Sequence, residues 1–297
     1  MSEGIELTTQ APAKLNLTLE VLGRRADGYH DLRSLVVGIG LCDALACVPR
    51  GDGRLKLACD DVSLAGPENL VTRAAECLAE RCERRPGVRF ELSKRIPVGG
   101  GLGGGSSDAA AALRLLRRLW RPELPREALS AVAASVGSDV PLFLALPAAV
   151  MTGRGERVEP VGMGWRGWAL LVWAGMPVST AAVYRAWRPT DQQGSSADAE
   201  AAARTAQRAA QLAPWLRNDL EPAVFRVEPR VAEVHEQLLR LRIGPVRVSG
   251  AGSVLYTLFD DQESAQATAR RVEAAGIGAG TFVVPAPVPL PPIVSKE

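Results

Sequence analysis

The first clear pattern in the chain is an alternation of apolar and polar side chains over residues 12–22. The apolar positions are Ala13, Leu15, Leu17, Leu19 and Val21, and the polar positions are Lys14, Asn16, Thr18 and Glu20. A period of two residues over this length predicts a β-strand with one buried face. Lys14 and Asn16 are therefore expected side by side on the polar face of that strand.

The pattern of the remaining chain predicts further strands and helices in alternation. Asp27-Gly28 indicates a turn over residues 24–31. Strands are expected at 88–93, 170–173, 246–248 and 254–259, and helices at 109–119, 126–136, 180–187, 197–213, 231–241 and 262–275. Ser106 or Ser107 is the expected N-cap of the helix at 109–119, with Asp108 in its first turn. The Pro-rich tail is expected to be extended or frayed.

This mixture of elements is typical of an α+β or α/β protein. Residues 153–165 lack periodicity and indicate a domain boundary. We therefore expect one domain over residues 1–158 and a second over residues 159–297. Residues 137–144, GSDVPLFL, predict a tight turn or helix start that leads into an apolar stretch.

Composition narrows the class of partner. The formal net charge is only +2 and the arginines are spread along the chain, so a nucleic-acid partner is not expected. Five cysteines without a CxxC pair indicate free, mostly buried thiols in a reducing compartment. The most apolar window, residues 140–151, is shorter than the roughly 20 residues of a membrane span, and the polar N-terminus is unlike a signal peptide. We expect a soluble, cytoplasmic protein.

The strongest single motif is VGGGLGGGSSD at residues 98–108, with six glycines in seven positions. Glycines leave backbone N–H groups accessible and allow an anion to approach the main chain. The predicted helix that follows directs its N-terminal dipole and unpaired N–H groups to the same place. A strand, glycines, two serines and a helix together predict a phosphate-binding site.

Three interpretations of this loop compete. A tight turn needs only one or two glycines. A dinucleotide site is compatible with Gly99, Gly101 and Gly104, which satisfy GxGxxG, although this pattern is weak in any glycine-rich run. A nucleoside triphosphate site is the third interpretation, and it would not be a P-loop because no Gly-Lys-Ser/Thr sequence follows the glycines.

Four separated segments resemble one family, the GHMP kinases. PVGGGLGGGSSDAA (97–110) is similar to the phosphate-binding loop of that family, and SGAGS (249–253) is similar to its second glycine turn, which packs near the first. APAKLNLTLEVLGRRADGYHDLRSL (11–35) and GSDVPLF (137–143) resemble its diphosphocytidyl-methylerythritol kinase branch. The resemblance spans most of the chain.

The resemblance implies a fold and a reaction. The fold would be α+β, with a two-layer α/β N-terminal domain like ribosomal protein S5 domain 2 and a ferredoxin-like C-terminal domain. The reaction would be phosphorylation of the 2-hydroxyl of a cytidylyl-linked methylerythritol by ATP and Mg²⁺, on the non-mevalonate isoprenoid route. Alternatives are another GHMP kinase acting on a mevalonate-like alcohol, homoserine or a sugar, a dinucleotide-dependent oxidoreductase, and a catalytically silent relative.

The resemblance also implies catalytic and acceptor-binding residues. Asp139 would be the general base and Lys14 its partner. Residues implied to bind the acceptor are Asn16, Tyr29, His30, Thr180 and Tyr184, of which Tyr29, His30 and Tyr184 would hold the cytosine. From local sequence alone, Asp139 would be a helix N-cap and Lys14 a solvated strand residue.

The remaining implied residues contact ATP. They are Pro97, Val98, Gly99, Gly100, Gly101, Leu102, Gly103, Gly104, Gly105, Ser106, Ser107, Asn69 and Lys94. An N-cap for Asn69 and a surface position for Lys94 are the alternatives. The two serines could offer hydroxyl groups to phosphate or Mg²⁺. Asp108 is expected to be a helix-start residue, with a metal role as the alternative, and the sequence names no metal ligands.

Overall fold

The computed structural model describes residues 5–120, 123–195 and 198–296. The larger sheet has nine strands: β1 Glu6–Asn16, β2 Thr18–Arg24, β3 His30–Pro49, β4 Leu55–Cys59, β5 Val88–Ser93, β6 Ala148–Gly153, β7 Arg157–Pro160, β9 Arg217–Asn218 and β13 Val294–Lys296. The smaller sheet has four strands in the order β10-β11-β8-β12: β8 Gly167–Trp173, β10 Arg247–Val248, β11 Val254–Phe259 and β12 Gly280–Ala286.

Nine α-helices accompany the sheets in this described part of the chain. They are α1 Leu70–Arg81, α2 Gly104–Trp120, α3 Arg126–Val136, α4 Thr180–Ala186, α5 Ala199–Thr205, α6 Ala209–Leu212, α7 Glu221–Val227, α8 Pro229–Arg240 and α9 Gln262–Ala274. Short 3₁₀ segments lie at Val62–Leu64, Pro141–Leu144, Pro189–Asp191 and Ala213–Trp215.

The long strand β3 organises the larger sheet. It pairs antiparallel with β1, β2, β5 and β6. Helix α2 packs on the sheet on one side and on α1 on another, and its alanine stretch, residues 109–112, is buried all round. Small side chains let this helix lie close to the strands, so its N-terminus is held firmly at the end of the loop that contains the glycines.

The smaller sheet is buried on both faces, as continuous apolar runs in a sheet predict. Ala169 and Leu171 of β8 pack in a cluster with Ala13, Leu15 and Leu17 of the larger sheet. Leu170 and Val172 point the other way, into a cluster with residues of α7, α8 and α9. The smaller sheet is therefore a middle layer between the larger sheet and these helices.

Several predicted elements agree with the structure. The strands at 88–93 and 254–259 and the helix at 126–136 have their predicted bounds. The turn at 24–31 joins β2 to β3. The tail is extended, and its last described strand, β13, pairs with β1.

Other predictions were wrong in part. The strand at 12–22 is interrupted at Leu17 and is buried on both faces from Ala11 to Leu19, so its polar side is not solvated. Helix α2 begins five residues before its predicted start, and Asp108 is the fifth helical residue rather than part of the first turn. The single helix predicted at 197–213 is two short helices, with residue 197 outside the described residues.

The predicted domain boundary lies inside a strand. Residues 157–160 pair with β6, so the aperiodic segment is partly a β-hairpin, and the division after residue 158 stays a prediction. The first four residues of the predicted N-terminal domain, 1–4, lie outside the described ranges. All five cysteines are free, but only Cys47 is buried, contrary to the expectation of mostly buried thiols. None of the helices described is both long and apolar enough for a membrane crossing.

Candidate active site

One large cavity of about 1560 Å³ brings together nearly all of the predicted site residues. The predicted residues that line it are Lys14, Asn16, Tyr29, His30, Asn69, Lys94, Pro97, Val98, Gly99, Gly100, Gly101, Leu102, Gly103, Gly104, Gly105, Ser106, Asp139, Thr180 and Tyr184. Ser107 does not line it, because its hydroxyl is buried and donates to the carbonyl of Pro12 at 2.7 Å. Ser107 therefore ties α2 to β1 and leaves Ser106 as the serine at the cavity.

The glycine-rich loop forms one end of the cavity. Helix α2 starts at Gly104, and Ser107 N–H donates to Gly103 O at 2.9 Å in its first turn. The last glycines of the motif are thus helical, and their N–H groups belong to the unsatisfied set of a helix N-terminus. That end of α2 opens onto the cavity and suits an anionic ligand.

The second glycine turn packs directly on the first, as expected. Gly101 has φ +79°, and a Cβ there would lie 1.9 Å from Ser249 O. Ser249 Oγ donates to Gly101 O at 3.1 Å, and Val254 N–H donates to Gly100 O at 3.2 Å. No side chain fits between the two turns, so this end of the cavity is shaped by main chain.

The dinucleotide-site interpretation of the glycines is not supported. Strand β5, which leads into the loop, pairs antiparallel with β3 and parallel only with β4. A dinucleotide fingerprint instead opens a parallel βαβ unit.

Lys14 lies between the loop and the centre of the cavity. Its ammonium donates to Asn16 Oδ1 and to Gly101 O, each at 2.5 Å. Burial lowers the pKa of Lys14, and the nearby charge of Asp139 opposes that shift. An ammonium has three donors, so one N–H of Lys14 is available toward the cavity.

A buried network fixes the partner of Lys14. Asn16 Nδ2 donates to Ser34 Oγ at 2.7 Å, and Ser34 Oγ donates to Thr18 O at 2.5 Å. Asn16 therefore orients Lys14 as well as lining the cavity. Ser34 was not singled out, because the sequence pattern did not predict β3 and a lone serine carries no distinguishing signal.

Asp139 follows the C-terminal end of α3 and precedes the 3₁₀ segment Pro141–Leu144. The N-cap of that segment is Val140, with no side-chain cap, so Asp139 is not the capping residue that its local sequence suggests. Gly155 packs against it, since a Cβ at Gly155 would lie 3.3 Å from Asp139 Oδ1. The carboxylate is free to face the cavity.

Aromatic side chains form the other end of the cavity. His30 is 9% exposed, and its ring centroid lies 5.2 Å from that of Tyr184 and 5.4 Å from that of Trp187. Burial, together with Arg24, lowers the pKa of His30 and favours a neutral imidazole. Tyr29 is 54% exposed, and Thr180 begins α4 at the cavity wall. Trp187 was not predicted, since nothing in its sequence context distinguishes it from a core tryptophan.

Lys94 is not the surface lysine that its local sequence suggests, and its contact with ATP stays a prediction. Its ammonium is held between Asp43 Oδ2 at 2.5 Å and Asp108 Oδ2 at 2.7 Å and is not a free surface group. Asp43 also accepts from the backbone N–H groups of Arg95 and Ile96. This buried cluster anchors the segment between β5 and the glycine loop to β3 and α2.

One lysine serves two carboxylates in this cluster. Although burial acts against it, the carboxylates raise the pKa of Lys94. Burial, with the charge of Asp43, raises the pKa of Asp108 to about 7. Asp108 Oδ1 is buried without a hydrogen-bond partner. Two carboxylates in one buried site cannot both stay ionised at low cost, which is consistent with the raised pKa of Asp108.

Asn69 is both an N-cap and a cavity residue. Its Oδ1 accepts from Val71 N–H at 2.9 Å, and its Nδ2 donates to Leu64 O at 2.8 Å. Asn69 is therefore the N-cap of α1, as its local sequence suggested. It also fixes the start of α1 beside the glycine loop.

Comparison with known proteins identifies the family. A model of the GHMP kinases N-terminal domain matches residues 69–146, and a model of the GHMP kinases C-terminal domain matches residues 198–278. The 4-diphosphocytidyl-2-C-methyl-D-erythritol kinase of Pelotomaculum thermopropionicum is 40% identical over 89% of this chain and 93% of its own length. The kinase of the same name from Azorhizobium caulinodans is 40% identical, with 92% and 96% covered.

Solved structures agree with these matches. A crystal structure of 4-(cytidine 5'-diphospho)-2C-methyl-D-erythritol kinase is 35% identical, has a TM-score of 0.78 and covers 94% of this chain and 98% of its own. The homoserine kinase of Cytophaga hutchinsonii is 17% identical with a TM-score of 0.75, covers 99% of this chain and 98% of its own, and shows the fold alone. The expected GHMP kinase fold is confirmed, and the chain is a small-molecule kinase that belongs to the 4-diphosphocytidyl-2-C-methyl-D-erythritol kinase family.

Proposed function

We propose that this chain transfers the γ-phosphoryl group of ATP to the 2-hydroxyl of 4-diphosphocytidyl-2-C-methyl-D-erythritol, on the non-mevalonate route to isoprenoid precursors. One observation carries the proposal. A single cavity has a main-chain anion cradle at one end and an aromatic pocket around His30 at the other, with Lys14 and Asp139 between them. The names of the relatives support the same acceptor.

The glycine end suits the triphosphate of ATP. Glycine N–H groups and the N-terminus of α2 offer donors and a positive dipole end to phosphate oxygens. Leu64, Asn69 and Val98 line the cavity beside this loop and leave a partly apolar site for the adenine base. Lys94, anchored between Asp43 and Asp108, would hold the glycine-rich loop in position.

The centre of the cavity suits the transfer step. Asp139 would accept the proton of the acceptor hydroxyl as its oxygen attacks the γ-phosphorus and ADP leaves. The available N–H of Lys14 would stabilise negative charge on the phosphoryl oxygens. Phosphoryl transfer depends mainly on positioning and charge stabilisation. A fixed ammonium near a carboxylate can therefore catalyse the transfer.

The site fits a magnesium ion that binds together with ATP. No group of three His, Cys, Asp or Glu side chains in the described ranges forms a metal site. Mg²⁺ usually binds through substrate phosphates, waters and few protein oxygens. Ser106, in the first turn of α2 and at the cavity wall, is the hydroxyl best placed to hold it. When bound, the ion would neutralise charge on the phosphates.

The aromatic end suits cytosine. Tyr29 and Tyr184 supply ring faces for stacking, which favours offset contacts between aromatic groups. A neutral His30 has one donor and one acceptor nitrogen, which matches the mixed polar edge of cytosine. Free thiols and a nucleotide co-substrate are compatible with a cytoplasmic enzyme.

A coupled ADP-release assay tests the proposal. The full chain is given MgATP with the cytidylyl-linked methylerythritol, with mevalonate or with homoserine. Turnover with the first acceptor alone is the expected result. Turnover with only mevalonate or homoserine would show that the chain is a kinase for a different acceptor. No turnover with any acceptor would contradict the proposed activity.

A further inference from the structure

The proposed acceptor contains a diphosphate, which needs binding groups distinct from those that hold its base and its reacting hydroxyl. This inference rests on the proposed function. The acceptor is linear in chemical order: cytosine, ribose, diphosphate, methylerythritol. With cytosine near His30 and the reacting hydroxyl near Asp139, the diphosphate lies between these two residues. A cationic side chain there would bind the diphosphate strongly, because hydrogen bonds between charged groups are the stronger ones.

Arg154 occupies this intermediate position. It lines the cavity, and its guanidinium carbon lies 4.7 Å from the ring centroid of Tyr29. The next residue, Gly155, packs against Asp139 Oδ1. Arg154 thus contacts the base end with its side chain and adjoins the reacting end through its backbone.

The backbone of Arg154 is held in a defined turn between β6 and β7. Its N–H donates to Glu156 Oε2 at 2.7 Å, and Gly155 N–H donates to Thr152 O at 3.1 Å. Gly155 has φ +108°, a conformation that suits glycine. The sequence Gly-Arg-Gly-Glu therefore presents the arginine from a fixed point.

The guanidinium of Arg154 is available for an anion. Within residues 5–120, 123–195 and 198–296, its nitrogens have no carboxylate within ion-pair distance. The nearby Asp27 is already bonded by Arg25 at 3.1 Å. A guanidinium stacked on an aromatic face keeps its N–H edge free for a planar or forked acceptor.

Two other arginines line the cavity but are less suitably placed. Arg24 lies opposite His30 in the β2–β3 pairing, at the base end. Arg185 lies on the exposed side of α4, next to Tyr184. Only Arg154, of these three, adjoins both ends of the acceptor site.

We propose that Arg154 is a specificity-determining residue that binds the diphosphate of the acceptor. Its stacking on Tyr29 couples that contact to recognition of the base. An acceptor without the diphosphate would then lose this contact and retain only its contacts at His30.

The test compares CDP with cytidine, because the two ligands share the base and differ in the diphosphate. Binding of each is measured by calorimetry to the wild-type chain, Arg154→Gln, Arg154→Lys and the control Arg157→Gln. Arg157 is a good control because it lies on the same hairpin, is exposed and does not line the cavity. Circular dichroism and thermal unfolding confirm that each variant is folded.

The expected result is a loss of discrimination. Wild type binds CDP more tightly than cytidine, and Arg154→Gln lowers that preference about 10- to 100-fold, the usual range for a hydrogen bond to a charged group. Arg154→Lys retains part of the preference, and Arg157→Gln retains all of it. Cytidine affinity stays within about twofold in each variant, since the base contacts are unchanged.

Two outcomes would overturn the inference, and a third would overturn the proposed function with it. An unchanged CDP preference in Arg154→Gln would remove Arg154 from the diphosphate site. Equal losses for CDP and cytidine would show that Arg154 acts only through Tyr29. A wild-type chain that binds neither ligand would contradict the cytidylyl acceptor itself.

Discussion

The two ends of the cavity are built from different parts of the polypeptide. The phosphate end is main chain: two glycine turns in direct contact and the first turn of α2. The acceptor end is side chains: His30, Tyr29 and Tyr184, with Arg154 beside them. A main-chain site cannot be adjusted by exchanging one side chain, whereas a side-chain site can. The shared phosphoryl chemistry of the GHMP kinases and a change of acceptor can therefore coexist in one fold.

Both halves of the chain contribute to each end, but through different kinds of element. Ser249 and Val254 hydrogen-bond the carbonyls of the first glycine turn, so the C-terminal half completes the phosphate end. At the acceptor end, Tyr184 on the short helix α4 packs against His30. Short, partly exposed elements of this kind have lower local stability than core strands. We infer a rigid phosphate end and a more adaptable acceptor end.

The largest expected effect is at the junction of the two ends. Asp139→Asn removes the proton acceptor while nearly preserving shape, and we expect turnover to fall by about 10²–10⁴-fold, the range for loss of a general base. The KM for ATP should change little, because the glycine end is intact. Steady-state kinetics with varied ATP and acceptor measure both quantities. Asp52→Asn, at an exposed turn away from the cavity, is the control. Near-normal turnover in Asp139→Asn would exclude it as the base.

The next effect tests whether the phosphate end depends on main-chain contact. Gly101→Ala would place a Cβ 1.9 Å from Ser249 O at a left-handed residue, which forces the two turns apart. Overpacking and backbone strain of this kind cost about 1–3 kcal/mol each. We expect the KM for ATP to rise at least tenfold and the melting temperature to fall. Gly51→Ala, with no atom within 4 Å of the added Cβ, is the matched control. Normal ATP kinetics in Gly101→Ala would contradict the main-chain cradle.

A third effect comes from the carboxylate cluster below the glycine loop. Because the pKa of Asp108 rises from 3.8 to about 7 on folding, the folded chain holds that proton more tightly than the unfolded chain. The stability from Asp108 is therefore full below about pH 4 and is lost as pH rises toward 7. Between these values the free energy of unfolding should fall by at most about 1.4 kcal/mol per pH unit.

Asp108→Asn provides the comparison, because its amide does not titrate. The difference in unfolding free energy between wild type and this variant, measured in urea from pH 4.5 to 8, should decline with pH until about pH 7 and then level. A difference that is constant over the whole range would show that Asp108 does not take up a proton on folding.

The smallest effect sharpens the acceptor end. His30→Ala removes one hydrogen-bonding ring, so we expect CDP affinity to weaken about 5- to 10-fold, the equivalent of about 1 kcal/mol. Affinity for an ATP analogue should not change. His235→Ala is the control, since that histidine packs on Phe225 away from the cavity. Equal affinity of His30→Ala and wild type for CDP would place the cytosine elsewhere.

Local patterns were sufficient to predict many elements of the fold. Periodicity located β5, β11 and α3 with their observed bounds. It failed where tertiary contacts decide the outcome. The alternation places Lys14 and Asn16 on a solvated face, but the two glycine turns pack against them, and both residues are buried. The start of α2 was placed late because glycine has a low helix propensity, which the requirement for free N–H groups outweighs here.

The candidate site was predicted mainly through motifs. Contiguous motifs identified the glycine loop, Asp139 and His30, and the structure gathers them in one cavity. Residues that act through distant partners gave no such signal. Asp43 lies within a strand and becomes significant only when Lys94, 51 positions later, folds against it. Arg154 was part of an aperiodic segment, and only the hairpin places it beside Tyr29.

The most direct test of a cavity with two separate ends is calorimetric titration of CDP into the wild-type chain, with and without a saturating non-hydrolysable ATP analogue and Mg²⁺. If the nucleotide triphosphate occupies the glycine end and cytidine the aromatic end, CDP binds with a stoichiometry of one in both cases, and its affinity is not reduced by the analogue. Loss of CDP binding in the presence of the analogue would show that the two nucleotides compete for one subsite and would contradict the two-ended cavity.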